Sequence, residues 1–210
     1  MDTTTQTGYL LLSVIWMSWN VFLAGVAILM GQLIARYKTS PWVAALLITW
    51  LLFLPNTLYM ITDGMYVFYP EFAILTGPHL VLGVLFYATI VALAPYTFVH
   101  AILPVIRAYQ SRLSSLPPLI RYLIALIFGT LIGIGITMGR FARTNSWHVI
   151  TQPIRVIEDL YDTVRSPELA SFLIIFSAGA VIITALVMRR VVEDTPHTKK
   201  RSIRKHERAS

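Results

Sequence analysis

Two stretches of the chain gather side chains that can hold an anion or move a proton. The first reads Leu54-Pro55-Asn56-Thr57-Leu58-Tyr59-Met60-Ile61-Thr62-Asp63, and the second Gly139-Arg140-Phe141-Ala142-Arg143-Thr144-Asn145-Ser146-Trp147-His148. Proline has no N–H to give, so Pro55 frees a carbonyl near Leu51. Asn56 is an amide inside an apolar run, and it must face another helix or a polar cavity. Arg140 and Arg143 are three apart. On a helix that continues through both they share a face, and two guanidiniums there can clamp a phosphate or carboxylate. Asp63 is the expected counter-ion, with Asn56 and Asn145 orienting the bound group. His79 and His148 add proton carriers on the same side, beside Asp63 and Glu71.

Each of these residues also has a plainer reading. Asn56 can satisfy a neighbouring backbone group at a proline kink. Arginines favour a helix C-terminus through the macrodipole, and Asp63 can be their ordinary ion-pair partner. Trp147 is first an interfacial anchor. No metal-ligand spacing such as His-Glu-x-x-His is present, and no metal or cofactor is expected. Phosphate-binding loops, a dinucleotide glycine fingerprint and a Gly-x-Ser-x-Gly elbow are all missing. With no cysteine in the chain, thiolate chemistry, disulfides and iron–sulfur clusters are excluded.

The elements that position these residues are apolar helices. Hydrophobic residues make up 56% of the 210 and charged residues only 13%, against about 25% charged in ordinary soluble domains. Long stretches carry no charge at all, and about 20 apolar residues suffice to cross a hydrocarbon layer of roughly 30 Å. Five spans are expected, over about 9–35, 41–61, 78–103, 119–139 and 167–188. Prolines punctuate their starts at Pro41, Pro78, Pro118 and Pro167, where a missing N–H costs little. The fold class is therefore an all-α integral membrane bundle of five spans, one domain over 1–190 followed by a basic tail over 191–210.

Charge sets the expected orientation. With the N-terminus outside, thirteen basic residues lie on the inner side and four on the outer, the bias expected of membrane proteins. Eight of the seventeen basic residues follow Met188. A basic tail beside a span faces an anionic inner leaflet, so the net charge of +7 argues for membrane lipids as partners and against nucleic acid.

The fourth span pairs Gly129 with Gly133 and Gly135 with Gly139, each four apart, which lets helix backbones approach closely. Packing within the chain is expected, with self-association through this span as the alternative. Between the fourth and fifth spans, Ile154, Ile157, Leu160, Tyr161 and Val164 fall on one helical face. An amphipathic helix over about 152–165, lying on the outer surface as a connector or a lid, is expected.

At these residues the chain resembles a bacterial membrane family known as domain of unknown function 1361. The resemblance rests on Pro55-Asn56…Tyr59…Thr62-Asp63 and Gly139-Arg140-Phe141…Arg143…Asn145-Ser146-Trp147, and covers most of the chain from the second span onward. It implies a multi-pass protein of a bacterial cell membrane and supplies no reaction. The family typically has an acidic residue where this chain has His148, and often a histidine where it has Gly64-Met65-Tyr66. Both departures count against a metal site.

Three functional expectations follow. The first is a non-catalytic component that binds another membrane protein. The second is an enzyme or binding protein with an outer-face site for an anionic lipid headgroup or lipid-linked phosphate. The third is a small transporter built on the Pro55–Asn56 break.

Overall fold

The structure, a computed structural model, describes residues 3–144 and 148–194. Among them all regular structure is helical, and five helical segments are long and apolar enough to cross a membrane. The first span is α1 (Thr3–Arg36). The second is α2 (Val43–Phe53) and α3 (Pro55–Asp63), which leads into a 3-10 turn over Gly64–Phe68. A second 3-10 turn, Phe72–Ile74, precedes the third span, α4 (Gly77–Ala108), and the short α5 (Gln110–Ser115) follows. The fourth span is α6 (Pro118–Phe141). After the short α7 (His148–Thr151) and α8 (Pro153–Arg165), α9 (Pro167–Glu193) is the fifth.

Three of the proline starts coincide with helix starts, while α2 begins at Val43, two residues past Pro41. Pro78, Pro118 and Pro167 all lie in first turns, and the Ser166 hydroxyl accepts from the Leu169 N–H. Three boundaries move because tertiary contacts extend the helices. α1 begins at Thr3 because its first turns are tied to the start of α4. Gln6 accepts from the Thr76 N–H at 3.0 Å, and Thr7 pairs with His79 at 3.2 Å. α4 runs on through Pro104 to Ala108. α9 continues to Glu193, with Val191 and Val192 buried and Gln110 donating to the Val191 carbonyl at 2.6 Å. Residues 191–193 thus belong to the bundle and not to the tail. The tail from residue 195 lies outside the described residues.

Two helix pairs clasp the second span. α1 and α4 run parallel, from Gln6 beside Thr76 to Gly31 beside Ala101. α6 and α9 run antiparallel and form the most extensive helix contact of the bundle. The glycines explain that packing. A Cβ on Gly129 or Gly133 would strike the α9 backbone at Val181 or Ser177, and one on Gly135 would meet the Pro55 ring at 2.6 Å. These three glycines sit at close contacts inside the chain, while Gly139 lies in ordinary contact with the Tyr59 ring and the Thr144 carbonyl.

The outer shell of the bundle is apolar. Trp16, Ile15, Ile127 and Ile174 are all exposed, and only a lipid surround makes such a surface stable.

Candidate functional site

The second span is built to be broken. Pro55 leaves the ladder between α2 and α3 incomplete, and neighbouring side chains repair it. Asn56 donates through Nδ2 to the Phe53 carbonyl at 3.0 Å, and Thr57 donates through Oγ1 to the Leu54 carbonyl at 2.7 Å. The plainer reading of Asn56 thus describes its amide nitrogen. Its carbonyl oxygen accepts no hydrogen bond among the described residues.

The break opens onto a groove of about 330 Å³. It exists because α3 contacts both α1 and α6 while those two helices barely touch each other. Trp19, Asn20 and Leu23 of α1 form one wall, and Leu131, Ile134 and Gly135 of α6 the other. Its floor runs from Leu51 to Tyr59, and Val149 and Val156 from α7 and α8 close one end. The volume falls in the range of small-molecule sites, about 300–1,000 Å³. Most of the lining is apolar. The polar atoms gather toward Asn20, Asn56, Tyr59 and Thr144.

Asp63 stands behind this end, 2% exposed, and accepts a hydrogen bond from Asn20 Nδ2 at 2.8 Å. A buried carboxylate without partners is costly, so the amide is a structural requirement. The expected ion pair is not formed: among the described residues neither Arg140 nor Arg143 pairs directly with Asp63. Arg140 instead donates through Nη2 to the Tyr69 hydroxyl at 3.0 Å and lies over the Tyr66 ring at 4.7 Å. The Tyr69 ring also lies 6.0 Å away, so two tyrosines flank one half-buried guanidinium, with Tyr59 nearby.

Arg140 and Arg143 do not share a face, because the helix ends between them. α6 stops at Phe141, Arg143 takes a left-handed φ of 52°, and the Thr144 N–H turns back to the Met138 carbonyl at 3.2 Å. A two-arginine clamp on one helical face is therefore replaced by a single caged arginine and a second, exposed one on the turn. His79 is held by Thr7 on the first turn of α4, and His148 opens α7. Among the described residues no three His, Asp or Glu side chains converge. Asn145, with Ser146 and Trp147, lies outside the described residues.

Sequence reasoning did not single out Asn20, Tyr66 or Tyr69. For Asn20 the signal was present, since an amide in the middle of an apolar span is the same anomaly as Asn56. The tyrosines gave no comparable signal, because tyrosine near a membrane boundary is ordinary.

Comparison with known proteins agrees with this picture and adds no activity. The family model described as "Protein of unknown function (DUF1361)" matches residues 19–184, which takes in the groove, Asp63 and Arg140. No curated protein and no solved structure matches the chain.

Proposed function

The chain belongs to the DUF1361 family, and from that premise we propose that it is an integral protein of the bacterial cell membrane that binds a lipid phosphate. The lipid's chain occupies the groove between α1 and α6, and its headgroup lies at Tyr59 and Arg140. The groove carries this reading. It joins an apolar trough to a polar end inside one continuous cavity, the shape of an amphiphile. Arg140 follows Gly139, a groove residue, and Tyr59, another, stands near its guanidinium. The tyrosine cage holds the cation in place before a ligand arrives, which lowers the ordering cost of binding. Arginine is the side chain suited to phosphate.

The basic residues Arg36, Lys38, Arg107, Arg112 and Arg121 cluster at the opposite end of the bundle, so the groove head faces outward. The partner-binding reading is less well supported, because the glycine seam that could meet another span is occupied by α9 and Pro55. The transporter reading is less well supported by the described residues. Between the groove and the Arg36 end the core is Ile34, Trp50, Phe98 and Ile102.

The test is lipid retention. Protein purified in mild detergent is delipidated stepwise, and bound lipid is counted by native mass spectrometry. Wild type keeps one phospholipid per chain after bulk lipid is gone. Arg140→Gln and the groove-filling Leu131→Trp each lower occupancy at least fivefold. Equal retention in all three proteins would overturn the proposal.

A further inference from the structure

The helix α8 sits inside out. In a water-soluble domain an amphipathic helix turns its apolar face to the core. Here the face that meets the protein is mixed, with Asp159 and Thr163 turned inward beside Val156 while Glu158 and Asp162 stay exposed. The Asp159 carboxylate accepts from the Thr144 hydroxyl, and Arg155 Nη2 donates to the Ala142 carbonyl at 3.3 Å, satisfying a group at the end of α6. Arg155 Nε also stands 3.6 Å from Asp159, and Thr163 is buried. The apolar stripe points away from the chain, with Ile154 72% exposed, Ile157 68% and Val164 60%.

We infer that α8 is a roof over the groove whose apolar stripe is seated in the acyl-chain boundary of the bilayer. The occupant is lipid because of where the stripe lies. One residue, Ser166, separates α8 from the membrane-spanning α9, and Arg155 caps the end of the membrane-spanning α6. α8 therefore runs at the level where two spans leave the hydrocarbon, and it exposes Ile154, Ile157, Tyr161 and Val164 there. Arg165 lies over the Tyr161 ring at 4.2 Å, an aromatic–cation pair suited to an interface. Electrostatic attraction does not hold the helix there: its two arginines are outnumbered by Glu158, Asp159 and Asp162. The seat is apolar burial.

The consequence for the groove is direct. Val156 of α8 closes one of its ends, so lipid on one side of the helix and the Thr144–Asp159 and Arg155–Ala142 contacts on the other hold the roof in place. This seating is independent of what the groove binds.

The native chain has no cysteine, so single spin labels report unambiguously. Labels at Ile154, Ile157 and Val164, with Glu158 and Asp162 for the opposite side, are placed in phosphatidylcholine nanodiscs at one chain per disc. The first three should favour collision with oxygen over a water-soluble nickel chelate by at least fivefold relative to the other two. The pattern should be unchanged when phosphatidylglycerol is added. Nickel access at Ile157 and Val164 equal to that at Glu158 would overturn the seating. So would burial of the stripe against a second copy, seen as a dipolar distance between labels when discs hold two chains, or oxygen preference that appears only with phosphatidylglycerol.

Discussion

Asp63 and Arg140 lie close in the bundle yet each has taken a different partner. The carboxylate is satisfied by an amide from α1, and the guanidinium by tyrosines of the turn that follows α3. The guanidinium already has the Tyr69 hydroxyl and the Tyr66 ring as partners, and the carboxylate already has the Asn20 amide. Asn20 is then the residue on which Asp63 depends. Asn20→Leu leaves a buried carboxylate without its hydrogen bond and should cost about 1–3 kcal/mol. Asp63→Leu in the same chain removes the orphaned charge and should recover much of the loss. Unfolding by sodium dodecyl sulfate from a mild detergent reads all four corners of this cycle. A double variant no more stable than Asn20→Leu alone would show that the two side chains do not act as a pair.

The broken second span makes sense only together with α6. A proline in a helix leaves a bulge, and the glycine facing it is the residue that lets α6 pass. A Cβ at Gly135 would stand 2.6 Å from Pro55 Cγ and 2.9 Å from its Cβ. Gly135→Ala should therefore destabilise the bundle by about 1–3 kcal/mol, as overpacking does. Pro55→Ala removes the ring, so Gly135→Ala with Pro55→Ala should be more stable than Gly135→Ala alone. Gly25→Ala is the control, since nothing lies within 4 Å of its Cβ position. It should be neutral or slightly stabilising, in line with the higher helix propensity of alanine. Thermal unfolding in one detergent orders the four proteins. A Gly135→Ala chain as stable as Gly25→Ala would contradict the close approach of α6 to the break.

For the whole molecule, the two long parallel helices and the antiparallel pair leave one side of the second span open, and that opening is the groove. Orientation decides which leaflet it samples. The proposed arrangement places Thr4 outside and the residues after Met188 in the cytoplasm. Thr4→Cys should react with an impermeant maleimide on intact cells, and Ser202→Cys only after lysis. The reverse pattern would turn the site toward the cytoplasm and remove the outer leaflet as its lipid source. The sequence alone determined that there are five long apolar helices, the proline starts of three of them and the two-faced pattern of α8, because hydrophobic length, missing N–H groups and helical periodicity are local properties of a chain. It also marked Asn56, Asp63 and Arg140 as anomalies, since polar groups in apolar runs stand out without any fold. Tertiary structure decided who meets whom. Asn20 lies 43 residues from Asp63, and Tyr69 lies 71 from Arg140. No periodicity spans such distances. Whether Arg143 shared a face with Arg140 turned on where α6 ends, and α8's direction on a few hydrogen bonds to the end of α6. A two-faced helix has the same sequence pattern whichever way it points, and only the surround, lipid or water, makes one orientation the stable one.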